Sequence, residues 1–225
     1  MRSFLAKSLL GALAFGAMVS AANAAIVINE VLGSTTGTDS EFIELWNSGP
    51  GPVDISGWRI ELWDSDAGAS FGGADGGSPY IIPAATSLAA GDYWVMANTT
   101  FGTFYSASLR DQLIQENAIE NSSYTIILKD SLLAAVDSFF VTDGGAGDSA
   151  NDAGAAHVPI SGTVGPDGSN LPAGFYRVGD GNSATALLEF SPQPAPSATP
   201  GAANIPEPAS VALIGLGALA VLRRR

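Results

Sequence analysis

Cysteine is absent from the 225 residues, and histidine occurs once, as His157. Such a chain cannot build a disulfide framework, a thiolate zinc site, a cysteine nucleophile or a two-histidine metal site. Basic residues are also scarce: 9 Lys and Arg stand against 22 Asp and Glu, for a formal net charge of −13. Without a basic surface to neutralise phosphates, nucleic acid is excluded as a partner held by charge. What the chain has instead is apolar surface and glycine, with 46% hydrophobic residues, 27 Gly and 13 Pro. That balance excludes disorder throughout and fits one globular domain with appendages.

Much of the apolar content lies at the two ends. Residues 1–24 carry Arg2 and Lys7, an apolar run over 9–19, and the small residues Ala22, Asn23 and Ala24. These are the three regions of a secretory signal peptide, so a signal peptidase is expected to cut between Ala24 and Ala25. The apolar run covers only about half of a ~30 Å hydrocarbon layer at ~1.5 Å per residue, which argues against a lasting anchor. At the other end Pro206, Glu207 and Pro208 precede an apolar run over 209–222 and a terminal cluster of Arg223, Arg224 and Arg225. Arginines resist translocation, so this order reads as a stop-transfer helix. Its apolar run is shorter than the ~20 residues of a durable span, which fits transient anchoring in the inner membrane.

Between these ends the charge is more one-sided. Over residues 25–204 the basic residues are Arg59, Arg110, Lys129 and Arg177, against 21 acidic ones, a net charge of −17. A body this acidic stays soluble, repels anionic lipid and nucleic acid, and attracts cations.

The body reads as all-β. Short β-branched or aromatic runs over 26–32, 41–47, 58–63, 80–82, 93–97, 124–129, 136–141 and 175–178 are bounded by Gly, Asp, Asn, Ser or Pro. Alternation over 58–63 places Trp58, Ile60 and Leu62 on one face and Arg59, Glu61 and Trp63 on the other. One short helix is expected over 107–119. Without a βαβ rhythm, the arrangement predicted is a two-sheet antiparallel sandwich over 25–190. Gly-rich segments over 64–78 and 143–156 read as surface loops. Residues 191–204 read as a Pro/Ala/Ser linker holding a domain-closing motif, extended and semi-rigid, ahead of the tail at 205–225.

Three ordered clusters carry a resemblance: Ile28, Asn29, Glu30 and Val31; then 41–47, EFIELWN; then 53–58, VDISGW. Together with 88–95, 124–128, 136–138 and the closing 197–204, SATPGAAN, they resemble the lamin tail domain, an immunoglobulin-like β-sandwich also found in secreted bacterial proteins. The tail, with Pro206, Glu207, Pro208, its small-residue helix and Arg223 to Arg225, resembles the PEP-CTERM sorting signal of Gram-negative bacteria. That resemblance implies recognition by an exosortase-type enzyme, removal of the tail, and release to or attachment at the cell surface, often within an exopolysaccharide matrix.

Within the domain, Gly57 is expected to supply a turn conformation, and Asp54 and Ser56 to bond neighbouring amides. Glu30, Glu44 and Asn47 are expected to satisfy donors near a sheet edge. Two carboxylates also raise the possibility of acid/base hydrolysis, which needs a carboxyl pair at a set separation. Asp143, Asp148, Asn151 and Asp152, with Asp64, Asp66 and Asp75, offer oxygen ligands of the type calcium prefers. Their spacing departs from the EF-hand pattern. His157 has no nucleophile or orienter in reach of sequence reasoning. The leading expectation is a non-enzymatic cell-surface or matrix protein. Its rivals are a calcium-dependent adhesin or polysaccharide binder using Trp46, Trp63 and Phe71, and a hydrolase built on Glu30 and Glu44.

Overall fold

The computed structural model describes residues 26–33, 38, 40–65, 79–150, 173–188 and 193–204. Among these described residues, twelve strands follow in chain order: β1 Ile26–Leu32, β2 Phe42–Asn47, β3 Val53–Asp54, β4 Arg59–Asp64, β5 Tyr80–Ile81, β6 Ser87–Leu88, β7 Tyr93–Ala97, β8 Gln112–Leu113, β9 Tyr124–Lys129, β10 Ala135–Val141, β11 Gly174–Arg177 and β12 Thr185–Leu188. One sheet has the order β12-β11-β1-β2-β7-β8, a second β10-β9-β4-β5, and β3 pairs with β6. All pairings are antiparallel except β7 with β8.

The two large sheets pack face to face. Ile28, Val31, Ile43, Leu45 and Phe175 from the six-stranded sheet meet Ile60, Leu62, Ile126, Leu128 and Phe139 from the four-stranded one. Phe139 stacks on Phe175 with ring centroids 3.8 Å apart. The alternation read over β4 holds, with Ile60 and Leu62 turned inward and Trp58 packed at the margin of the same cluster. Gly57, at φ +72°, makes the turn into β4, where few side chains are tolerated. Ser56 donates its N–H to Asp54 at 2.9 Å, and its hydroxyl accepts from the N–H of Thr86.

A third layer covers the other face of the six-stranded sheet. Leu32, Phe42, Val95, Ala97 and Tyr176 on that face meet Phe101 and Ala195, with Tyr105, Leu109 and Ala198 packed around them. This layer consists of the segment from Asn98 to Asp111 and of residues 193–204. Composition reads residues 191–204 as a spacer, yet the described part, 193–204, is tied to the sheet by Thr199, Gly201 and Asn204.

The helix expected over 107–119 does not form. A 3-10 turn at Ala107–Leu109 is followed by β8, and Glu41 then captures the N–H groups of Ala118 at 2.7 Å and Ile119 at 3.1 Å. Backbone donors taken by a distant carboxylate are unavailable to an i to i−4 ladder, so tertiary bonding overrides the local apolar spacing. The signal peptide, with Ala24 and Ala25, and the tail, with Pro206 to Pro208 and Arg223 to Arg225, lie outside the described residues. Among the described residues no helix is long and apolar enough to cross a membrane.

Candidate functional site

The register of β1 on β2 sets Glu30 directly opposite Glu44. Strict alternation from Ile28 would turn Glu30 into the core. A bulge between Ile28 and Glu30 breaks the alternation, so Val31 takes the inward place and Glu30 turns to the opposite face. On β2, Ile43 and Leu45 point inward, which leaves Phe42 and Glu44 on that same opposite face. Two carboxylates thus share one patch beneath the third layer, and both are fully buried.

Residues 199–204 cap this patch with donors. Thr199 gives its N–H to Glu30 at 3.0 and 3.2 Å, and Gly201 gives its N–H to Glu44 at 2.6 Å. Asn29 donates from Nδ2 to Glu44 Oε1 at 2.9 Å and to Asp180 Oδ1 at 3.0 Å. Asp180 accepts further from Asn204 N–H at 2.9 Å and from the Tyr93 hydroxyl at 2.6 Å. Asn204 closes the ring by donating to the Asn29 carbonyl. Gly201 sits at φ +75°, an angle that calls for glycine, and a Cβ there would lie 2.9 Å from Leu109 Cδ2 and displace the end of that side chain.

Electrostatics in this patch run against ionisation. Burial pushes Glu44 up to about 8, with the Asn29 and Gly201 bonds opposing and the Asp180 charge adding. Glu30 is held well above the ordinary carboxylate range, first by burial and then by Glu44, while the Thr199 bonds oppose. Burial and the neighbouring charges thus favour the neutral form of each carboxyl, while the donated N–H bonds favour the charged one. A general acid must reach the atom it protonates. Here the capping segment donates backbone N–H groups to both carboxylates, which are buried.

A second polar cluster joins the two large sheets. The β1–β11 pairing starts at Glu30, so Ile28 lies beyond its ladder. Asp137 Oδ2 accepts from the N–H of Ile28 at 2.8 Å, and Arg177 Nε donates to the carbonyl of Ile28 at 2.8 Å. Asp137 and Arg177 also pair with each other at 2.8 Å, and the guanidinium lies 4.9 Å from the centroid of the Phe139 ring. This ion pair therefore replaces the missing ladder bonds and ties β10 to β1 and β11.

The proposed calcium ligands are only partly brought together. Asp148 Oδ2 accepts from the Ser123 hydroxyl at 2.6 Å, the Thr142 hydroxyl at 2.7 Å and Gly145 N–H at 2.9 Å. Burial raises its pKa, but these donated bonds outweigh burial and hold the carboxyl below its ordinary value. Asp143 is buried beside it and accepts from Ser123 and Gly145. Asn151 and Asp152 lie outside the described residues. Among the described residues no group of three or more His, Asp or Glu is placed to hold a metal ion.

Two of the aromatic side chains read as exposed, Trp46 and Trp63, are partly buried. Trp46 is only half-exposed, because Gly181 packs so closely on its ring that a Cβ there would come within 2.3 Å. Trp63 is also half-buried, and Phe71 lies outside the described residues. Sequence reasoning named Glu30 and Glu44 but missed Asp180, Tyr93 and the Asp137–Arg177 pair. Their partners are 40 to 151 positions away, and no spacing rule connects them.

Comparison with known families matches residues 19–151 to the Lamin Tail Domain and residues 204–225 to the PEP-CTERM protein-sorting motif. No curated protein matches the chain. Strands β11 and β12 follow the first matched interval, yet they complete the same six-stranded sheet.

Proposed function

From the premise that the chain belongs to the lamin tail domain family and carries a PEP-CTERM motif, we propose a non-enzymatic cell-surface or matrix protein. Its sandwich serves as an interaction module, and its tail delivers it. The motif marks the chain for export, membrane passage and an exosortase-type sorting system. The finer reading is that the processed body is then displayed at the cell surface or in an extracellular matrix, in contact with an exopolysaccharide or a surface protein.

One observation carries the non-enzymatic reading. The candidate catalytic carboxylates, Glu30 and Glu44, are buried under the segment that runs directly into the sorting motif, and backbone N–H groups of that segment bond both. Their role is then to fasten the end of the domain. Residues ahead of the tail are held by the fold, so the sorting motif starts at a fixed point on a folded body.

Two measurements on the exported protein test this. Fractionation of the native host should place the wild-type chain outside the inner membrane, and a chain with Arg223, Arg224 and Arg225 replaced by Ser should lose that distribution. Hydrolase screening of the wild-type protein beside Glu44→Gln should find no turnover in either. A turnover present in the wild type and lost in a folded Glu44→Gln variant would overturn the reading.

A further inference from the structure

The β9–β10 turn displays two leucines to solvent: Leu132 is 86% exposed and Leu133 52%. Side chains at such a turn are usually small or polar. Leu133 moreover sits at φ +70°, a backbone region costly for a residue with a branched, bulky side chain. The turn is nevertheless held firmly. Asp130 Oδ1 accepts from the N–H of Leu132 and of Ala134, both at 2.9 Å, while the Leu133 and Asp130 N–H groups bond Asp130 O and Ala134 O. A strained, well-fixed turn carrying two exposed leucines has no explanation in the packing of the body.

Its place in the fold gives one. Asp137 meets Ile28, and two residues on Phe139 stacks on Phe175, which is opposite Val31. Strand β10 therefore runs alongside β1 in the same direction, and the turn before β10 projects at the Ile26 end of the sandwich. Asn47 lies opposite Ile26, and Asp180 and Gly181 sit beside Asn29 and Trp46 at that same end. Asn204, bonded to Asp180 and Asn29, brings the C-terminal end of the described chain there too. Only residues 205–208 separate Asn204 from the apolar run that starts at Ala209. At no more than about 3.6 Å per residue, a tail seated in a bilayer holds this end of the body close to the lipid surface.

We infer that Leu132 and Leu133 form an apolar peg that enters the lipid interface and seats the body on the bilayer while the tail is in the membrane. This rests on the sorting motif's membrane passage. Two side chains are too small a patch for a stable protein interface, which takes roughly 800 Å² from each partner. They suffice for a shallow contact once the tail has made the encounter intramolecular. Asp54, Asp92, Asp130 and Asp180 stand at the same end against Arg59 and Lys129, and Lys129 is bonded to Glu61 at 2.7 Å, so the excess there is acidic and a zwitterionic surface suits the peg better than an anionic one.

The lack of native cysteine makes the test direct. Single cysteines placed at Ser131, beside the peg, and at Gln115, by β8 toward the far end of the sandwich, take a polarity-sensitive fluorophore in the full chain. The protein is then reconstituted through its tail into phosphatidylcholine vesicles with and without a nitroxide-bearing lipid. The peg predicts a blue shift and nitroxide quenching at position 131, neither at 115, and loss of both in the combined variant Leu132→Ser with Leu133→Asn. It also predicts weaker quenching in phosphatidylglycerol vesicles. Asparagine tolerates positive φ, so that variant keeps the turn, and an undiminished thermal midpoint confirms its fold. A water-like signal at 131 in vesicle-bound protein, or quenching unchanged in the variant, overturns the peg while leaving the tail reading intact. A shift that follows protein concentration without lipid assigns the leucines to a second copy and overturns it too. Failure of the wild-type protein to float with the vesicles removes the membrane premise and the peg together.

Discussion

Gly201 donates its backbone N–H to the Glu44 carboxylate at 2.6 Å, across 157 positions of sequence. The same relationship recurs elsewhere: Glu30 binds Thr199, Glu41 binds Ala118 and Ile119, and Asp137 binds Ile28. Part of the acidic excess is therefore internal. These carboxylates serve here as acceptors for backbone N–H groups, and one of them, Asp137, also pairs with Arg177.

Stability should fall as pH rises from about 4.5 to about 8. Glu44, raised to about 8 chiefly by burial, binds a proton in the folded state that the unfolded chain releases near 4.5. Its favourable contribution is complete below the unfolded value and is lost as pH climbs through the folded one. Glu30 shifts in the same direction. Thermal melts of the wild type across this window should show a declining midpoint, and Glu44→Gln should flatten the decline.

Gly201→Ala should destabilise the domain by about 1–3 kcal/mol, combining strain at positive φ with the contact on Leu109. Gly91 is the control, since it shares a positive φ of +79° but has open space around its Cβ position. Urea unfolding should rank Gly201→Ala below Gly91→Ala. Equal losses would mean that the capping segment does not pack as described.

Removing one side of the inter-sheet ion pair leaves a buried charge and an unbonded Ile28. Asp137→Ala should cost roughly 3–5 kcal/mol, as broken buried pairs do. Arg177→Met added to Asp137→Ala should cost far less than Arg177→Met alone, with a coupling of about 0.5–3 kcal/mol. A double-mutant cycle in denaturant measures it.

Calcium should leave the thermal midpoint of the body unchanged relative to chelator. Asp148 already accepts three hydrogen bonds, and its carboxylate is committed to Ser123, Thr142 and Gly145. A ligand that binds only the folded state raises the midpoint, so a clear rise on adding calcium would restore the adhesin reading.

The architecture was legible where apolar periodicity is local. Ile60 and Leu62 alternate inward as written, Gly57 turns at positive φ, and Asp54 bonds Ser56 within three residues. The site was legible only in its members. Glu30 and Glu44 stand out in the sequence as two carboxylates on early strands, but the bulge that puts them on one face breaks the very alternation by which strands are read. The helix expected over 107–119 failed for a related reason, since a carboxylate on another strand takes the amides it needs. Proline and alanine in 193–204 suggest a spacer, whereas Ala195 and Asn204 are buried against the sheet.

On the proposed function, the exported sandwich keeps its clamped C-terminal segment and loses the tail beyond it. Intact mass of the protein recovered outside the cytoplasm tests this most directly. The expected product begins near Ala25 and ends between Asn204 and Pro208. A chain retaining residues 209–225 with all three terminal arginines, held in the inner membrane, would contradict it.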